Sequence, residues 1–308
     1  MADTFPKVKK MNILVTGGAG FIGSHIAEYF SANGNNVTVL DNLSTGYRHN
    51  IQENASITFV EGDICDPEVV ENVVSGKDYV FHMAAMVSVP LSCQHPEEAF
   101  RINTLGTLGV LQSALAAGVE KVVIASSAAV YGNNPIQPKQ EDMLPEPASP
   151  YAISKLDCEY LARMFNDMGL RTTCLRYFNV YGPRQDPGSA YAAAIPIFMS
   201  RAQAGEDLVI YGDGEQTRDF VHVSDVVRAN VAAMENGDGG VFNVATGRSV
   251  SINELARTVL EITGSGAGIV YQPERVGDIK HSRADVGRIS GWWRSEVELG
   301  DGLASIVC

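Results

Sequence analysis

Tyr151 and Lys155 stand four residues apart in Tyr151-Ala-Ile-Ser-Lys155. On a helix, that spacing puts a phenol and an ammonium on one face. A cation beside a phenol favours the phenolate, which turns a group otherwise protonated at neutral pH into a general base. A Tyr-xxx-Lys pair alone is commonplace. Here Pro150 opens the segment, and a hydroxyl pair, Ser126-Ser127, ends the apolar run Val122–Ala125 upstream. A hydroxyl at such a strand end can hydrogen-bond the oxygen that a base is deprotonating.

A cofactor site lies earlier in the chain, at Asn12–Gly23, N-I-L-V-T-G-G-A-G-F-I-G. Ile13–Val15 is apolar and β-branched and reads as a buried strand. Gly17, Gly20 and Gly23 follow at three-residue spacing, and Ser24–Asn33 reads as a helix. A strand, a glycine turn and a helix in that order suit a dinucleotide: the glycines let the backbone approach a pyrophosphate, and the helix start offers N–H groups and a positive dipole end. Val37–Leu40 reads as the next strand, with Asp41 at its end. A carboxylate there accepts hydrogen bonds from a ribose 2′-OH and repels a 2′-phosphate, so NAD is expected rather than NADP.

The elements that position these residues alternate. Strands are expected at Ile57–Val60, Tyr79–His82, Val122–Ala125 and Thr172–Arg176, and helices at Pro67–Val74, Asn103–Ala117 and Tyr151–Met168. The pattern predicts an α/β fold, a Rossmann-type doubly wound parallel sheet with loops after each strand along one ligand-binding edge. After Asn179 the rhythm changes, and Tyr181–Ala190 is rich in Gly, Pro and polar residues. The expected organisation is a disordered extension over 1–10, an NAD-binding domain over 11–180 with a return near 220–250, and a smaller, mainly substrate-binding C-terminal lobe over 181–308. In the later part, Ile195–Ala204 and Val223–Glu235 read as helices. Leu208–Tyr211, Gly212–Gly214 and Thr217–Val221 read as strand, turn and strand, and Val241–Ala245 as a short strand. Ile252–Thr263 reads as a helix capped by Ser251 and ended by Gly264.

The chain has 308 residues, 45% hydrophobic and 19% charged, with a net charge of −13. That balance is ordinary for a globular protein and argues against nucleic acid or an anionic membrane as partner. An anionic ligand would need a local cationic pocket. The cysteines, Cys65, Cys93, Cys158, Cys174 and Cys308, are odd in number and lack metal spacing, as do the six histidines. Reduced thiols, a cytoplasmic location and no metal are expected. No apolar run approaches membrane-spanning length.

Taken together, the motifs resemble those of the extended short-chain dehydrogenases/reductases, specifically the nucleotide-sugar epimerases of the UDP-galactose (UDP-glucose) 4-epimerase type. They are T-G-G-A-G-F-I-G (16–23), D-N-L-S-T-G (41–46), G-D-I (62–64), H-M-A-A (82–85), S-S-A-A-V-Y-G (126–132), P-Y-A-I-S-K (150–155), L-R-Y-F-N-V-Y-G-P-R (175–184), G-D-G-E-Q-T-R-D-F-V-H-V-S-D-V (212–226), F-N-V-A-T-G (242–247) and R-V-G-D-I (275–279). The resemblance implies that Gly17, Gly20, Phe21 and Ile22 line the NAD pyrophosphate. Asp41, Asn42 and Gly46 would hold the adenosine ribose, Asp63 and Ile64 the adenine, and Ala84 and Ala85 would pass close to the cofactor. Tyr151 and Lys155 would bind the nicotinamide ribose as well as act in catalysis, and Ser127 would hydrogen-bond the sugar. Asn179 would contact UDP, Arg218 and Arg275 its diphosphate, and Asp278 the uridine ribose. Arginine suits a diphosphate because its guanidinium is permanently charged and bidentate. Arg184 could equally be part of a structural corner, Tyr131 and Tyr177 read mainly as packing, and His222 as a core or hinge residue.

The resemblance also implies a homodimer, pairing the helices of Asn103–Ala117 and Tyr151–Met168 into a four-helix bundle. It implies a specificity position seven residues after Arg275, which is Ser282. Members restricted to plain hexoses carry Tyr there, and members that accept N-acetylated sugars carry a small residue. The expectation is UDP-GlcNAc/UDP-GalNAc as well as UDP-Glc/UDP-Gal. Relatives usually continue through a final helix, and the C-terminal G-W-W-R-S-E-V-E-L-G-D-G-L-A-S-I-V-C reads as stopping short of it. Two other readings compete. Dehydratases of the family place an Asp-Glu pair where Ala128-Ala129 stand here, but a UDP-glucuronate epimerase or decarboxylase stays open. The other is a catalytically silent NAD-binding scaffold, which would usually have lost Tyr or Lys.

Overall fold

A computed structural model describes residues 10–51, 56–186, 194–274 and 280–307. Seven parallel strands form the main sheet: β1 (Asn12–Thr16), β2 (Asn36–Asp41), β3 (Ile57–Glu61), β4 (Tyr79–His82), β5 (Lys121–Ser127), β6 (Arg171–Tyr177) and β11 (Gly240–Val244). Their order is β3-β2-β1-β4-β5-β6-β11. The central strands are buried on both faces, which explains their unbroken Val/Ile/Leu runs. The order reverses beside β1, between β2 and β4, and such a switch point opens a crevice at the carboxyl ends of the strands.

Helices cover both faces. Ile26 and Phe30 of α1 (Phe21–Ala32) pack with Val226 and Ala229 of α8 (Val223–Ala232) against one face. On the other face lie α2 (Pro67–Val74), α5 (Thr107–Ala117) and α6 (Pro150–Asp167), through Val70, Leu111 and Phe165 among others. The short helices α3 (Val89–Gln94) and α4 (Pro96–Ala99) lead into a π-wound stretch, Phe100–Gly106, before α5. The helix expected from Asn103 therefore begins earlier, and its first part is under-wound.

A second hydrophobic core joins α7 (Ala194–Gln203), α9 (Ile252–Thr263) and α10 (Leu299–Val307) through Phe198, Leu255 and Leu303. Three two-stranded sheets surround it. β7 (Asn179–Tyr181) pairs with β10 (Phe220–His222), β8 (Leu208–Tyr211) with β13 (Ile269–Gln272), and β9 (Thr217–Arg218) with β12 (Val250–Ser251). Leu208–Val221 is thus no hairpin: its strands pair with three distant segments. The C-terminus also differs from expectation, since Leu299–Val307 does form a helix. Buried Leu303 anchors it, and the Ser305 hydroxyl meets His222 Nε2 at 3.2 Å. His222 is buried, as a core residue would be, and its Nδ1 caps α8 through the Ser224 N–H. Among the described residues no helix is long and apolar enough to cross a membrane.

Candidate active site

The glycine turn sits at the switch point. Gly17 has φ +65°, and a Cβ on it would lie 2.6 Å from the Ala84 nitrogen. The turn after β1 and the turn after β4 therefore touch backbone to backbone, which Gly alone permits. At the start of α1, Gly20 provides no side-chain cap. The first-turn N–H groups of α1 therefore donate to no N-cap side chain, an arrangement suited to a pyrophosphate. Asp41 ends β2. Its Oδ2 accepts the Ala19 N–H at 2.9 Å and its Oδ1 the Leu43 N–H at 2.8 Å, so it shapes the turn it adjoins. Asn42 Oδ1 accepts the Ser44 N–H, and Gly46 lies against Ala19. After β3, Asp63 Oδ1 accepts the Cys65 N–H, while Ile64 is buried. Ala84 donates its N–H to Thr16 Oγ1 at 3.3 Å, and both Ala84 and Ala85 are half-buried. These residues line one edge of the sheet and fit a dinucleotide.

The catalytic candidates sit on the next elements along that edge. Ser127 is the last residue of β5, and its Oγ caps the following turn by accepting the Ala129 N–H at 3.1 Å. Ser149 caps α6 through the Ala152 N–H, and Pro150 occupies the first turn, which fixes where the helix begins. Tyr151 is half-buried, and its N–H donates to Ser92 Oγ at 3.1 Å. Lys155 is buried, and its Nζ donates to the Ala125 carbonyl at 2.9 Å, tying the α6 face to β5 two residues before Ser127.

Several residues that support this arrangement are not apparent from the motifs. Asn103, in the π-wound stretch, accepts the Met86 N–H at 2.8 Å and donates to Ser154 Oγ at 2.9 Å. It joins the turn after Ala84-Ala85 to the helix bearing Tyr151. Its signal in the sequence is a polar residue at a buried position of an apolar helix. Thr16 Oγ1 meets His82 Nδ1 at 2.7 Å, and His82 Nε2 meets Thr107 Oγ1 at 2.9 Å. Burial pushes the His82 imidazole down to about 3, with the Lys155 charge acting in the same direction. Below the edge, Glu159 and Arg176 form a buried pair, with Arg176 donating to both carboxylate oxygens at 2.8 and 2.7 Å.

Three of the expected substrate residues meet around the Thr217–Asp219 backbone. Asn179 Nδ2 donates to the Asp219 carbonyl at 3.0 Å, next to half-buried Arg218. The Ser282 N–H donates to the Thr217 carbonyl at 3.1 Å. Buried Asp219 welds the region, accepting from Thr246 N, Thr246 Oγ1, Gly247 N and Ala284 N. Desolvation raises its pKa, against the pull of those hydrogen bonds. Lys139, from the loop between β5 and α6, pairs with the same segment through Arg283 O and Asp285 N. Asn179, Arg218 and Ser282 are thus brought together. Arg275 and Asp278 lie outside the described residues, as does the expected extension through residue 9. Arg184 belongs to a corner: it pairs with Glu28 of α1 at 2.5 Å. Tyr131 and Tyr177 are buried, with hydroxyls donating to Asn243 and Asn230. Among the described residues no cluster of His, Cys, Asp and Glu could hold a metal ion.

A seven-stranded parallel sheet with this glycine turn and Tyr-Lys pair defines an NAD-binding enzyme of the extended short-chain dehydrogenase/reductase class. The chain belongs to the NAD dependent epimerase/dehydratase family, which it matches over residues 13–245. It is similar to the crystal structure of the UDP-glucose 4-epimerase of Thermotoga maritima with UDP-glucose, at 43% identity and TM-score 0.92, covering 96% of this chain and 97% of the other. It is also similar to the UDP-N-acetylglucosamine 4-epimerase of Methanobrevibacter ruminantium M1, solved in complex with UDP-N-acetylmuramic acid. There the identity is 41% and the TM-score 0.94, covering 97% and 98%. A UDP-N-acetyl-alpha-D-glucosaminuronate decarboxylase of Bacillus cytotoxicus is 39% identical over 86% of this chain and 84% of its own length.

Proposed function

We propose that this protein is a UDP-sugar 4-epimerase that works with tightly held NAD. The observation that carries the reading is the buried Lys155, bonded to the Ala125 carbonyl so that the face of α6 bearing Tyr151 meets the β5 end bearing Ser127. Bound NAD supplies a hydride acceptor and donor. In this reading the Tyr151 phenolate takes the proton of the sugar 4-OH and later returns it, Lys155 favours that phenolate, and Ser127 orients the sugar oxygen. Gly17, Gly20, Phe21, Ile22, Asp41, Asn42, Gly46, Asp63, Ile64, Ala84 and Ala85 hold the dinucleotide, together with Tyr151 and Lys155. Asn179, Arg218, Arg275 and Asp278 hold UDP, so residues 11–180, with a return near 220–250, form the cofactor domain and 181–308 mainly the substrate lobe. The turn Ala128-Ala129 after Ser127 brings no carboxylate, which speaks against a dehydratase.

Ser282 is our choice for the residue beside the sugar's C2 substituent, and we extend the substrates to UDP-GlcNAc/UDP-GalNAc as well as UDP-Glc/UDP-Gal. Incubation with UDP-glucose, UDP-N-acetylglucosamine and UDP-glucuronate, followed by sugar-nucleotide chromatography, tests this. Loss of carbon dioxide from the glucuronate would instead favour the decarboxylase reading, which the 39% identical relative motivates. We also propose a cytoplasmic homodimer. Leu105, Ile153, Tyr160 and Met164 leave apolar surface exposed on the π-wound stretch and α6, as a bundle with a second copy needs. A monomeric mass by light scattering at micromolar concentration would refute the dimer.

A further inference from the structure

Ser126, Arg176 and Asn243 lie in one register row across β5, β6 and β11. Beneath them Glu159 projects from α6, one turn beyond Lys155. Its Oε1 accepts the Ser126 hydroxyl at 2.5 Å and the Arg176 Nε–H at 2.8 Å, and its Oε2 accepts the Arg176 NH2 group at 2.7 Å. The Arg176 guanidinium carbon sits 4.7 Å from the centre of the Tyr131 ring, and NH1 has no hydrogen-bond partner among the described residues. The arginine is held by one carboxylate and one aromatic face.

A buried ion pair contributes little stability compared with apolar residues of the same volume, and breaking one leaves a costly lone charge. What this pair does is connect. One carboxylate fastens the residue before Ser127, the helix bearing Tyr151 and Lys155, and the β6 end that leads to Asn179. We propose that Glu159, held by Arg176, is a positioning residue of the reaction centre, fixing the Ser126-Ser127 strand end against α6 and keeping the ground below Lys155 electrically neutral. The proposal rests on the epimerase reading for what is being positioned.

The titratable and charged neighbours are Lys155 and Cys158 on α6, Cys174 on β6, Tyr131 and Glu141 after β5, and His82 on β4. Burial raises both thiols and the Tyr131 phenol and lowers His82, so these four are neutral near pH 7. Burial raises the Glu141 carboxyl too, against the Asn243 N–H and the Arg288 and Arg176 charges. Glu159→Gln would leave the Arg176 charge uncompensated, because a guanidinium does not deprotonate. Tyr151 lies eight residues, or about 12 Å of helix, from Glu159. A unit charge at that range shifts a phenol by about half to one pH unit at an effective dielectric of about 20.

The test uses the full chain labelled with ζ-¹³C tyrosine, with the Tyr151 resonance assigned by its loss in Tyr151→Phe. Glu159→Gln is expected to lower the Tyr151 midpoint by about half to one pH unit, and Glu159→Gln/Arg176→Met to restore it. Ser126→Ala keeps every charge; it is expected to leave the midpoint in place while kcat falls about tenfold and KM stays within about twofold. An unmoved midpoint in Glu159→Gln, a displaced midpoint in the double variant or a wild-type kcat in Ser126→Ala overturns the proposal. If Glu159→Gln does not fold, the double variant, free of the buried pair, and Ser126→Ala decide it. If the wild-type protein turns over no UDP-sugar, the epimerase reading fails, and the resonance titration still decides the charge-balancing role.

Discussion

Asp41 Oδ2 accepts the Ala19 backbone N–H at 2.9 Å, so the carboxylate at the end of β2 braces the glycine turn that follows β1. The other oxygen accepts the Leu43 N–H at 2.8 Å. The same charge repels a 2′-phosphate, so the purified protein should carry NAD and bind it in preference to NADP. Asp41→Asn replaces one of the two acceptors with a donor. It should cost about 1–3 kcal/mol of stability and relax the preference at least tenfold. Cofactor extraction and urea unfolding check both; NADP in the wild-type protein would count against the assignment.

Tyr151→Phe keeps the ring and the backbone bond to Ser92 but removes the phenol oxygen. Turnover should fall by about a hundredfold or more, the usual scale for losing a general base, while NAD stays bound. Activity within a few-fold of wild type would show that the proton goes elsewhere.

Ser282 donates its own N–H to the Thr217 carbonyl, next to Arg218, which fixes the backbone from which a larger side chain would project. Ser282→Tyr should cut kcat/KM for UDP-N-acetylglucosamine by about tenfold to a hundredfold, the equivalent of about 1–3 kcal/mol of overpacking, and spare UDP-glucose. A wild type that interconverts only UDP-glucose and UDP-galactose would defeat the specificity argument.

His82 governs an acid-side stability change. Its folded-state pKa is pushed down to about 3, against about 6.5 in an unfolded chain. The unfolded state therefore binds more protons below pH 6.5, and the stability present above that pH drains away as pH falls from about 6.5 towards 3. His82→Gln retains one donor and one acceptor but does not titrate. It should be about 1–2 kcal/mol less stable at pH 7.5 and lose less than wild type between pH 7 and 5. Urea unfolding at those values reads it, and equal slopes for both proteins would sink the assignment.

Some of this was legible because local chemistry decides it. Asp66 caps α2 through the Glu68 and Val69 N–H groups, with Pro67 in its first turn. Ser251 caps α9, and Gly264 ends it in the left-handed conformation. Both helices run as the sequence predicts. The placement of the glycine turn, Asp41 and Tyr151 is legible for the same reason: each sits at a strand end or helix start with its own signal. What was not legible depends on remote partners. A strand's two-residue period is the same whether it pairs with a neighbour or with a segment sixty residues away, so Leu208–Tyr211 gave no sign of its parallel partner Ile269–Gln272. Nothing local marks Glu159, whose partner Arg176 is brought to it by β6. Asn103 sits in a π-wound turn, where helical periodicity shifts by a residue.

The Tyr181–Arg184 corner is bolted to the back of α1 twice, by Arg184 to Glu28 and by the Pro183 carbonyl to His25 Nε2 at 3.0 Å. The helix that follows the glycine turn therefore also anchors the chain's exit from the main sheet. One helix thus ties the glycine turn and the start of the C-terminal lobe into a single rigid joint. For a reaction that hands back its hydride within each cycle, such a joint is an asset. Under the proposed mechanism, turnover would not depend on the cell's ratio of oxidised to reduced dinucleotide.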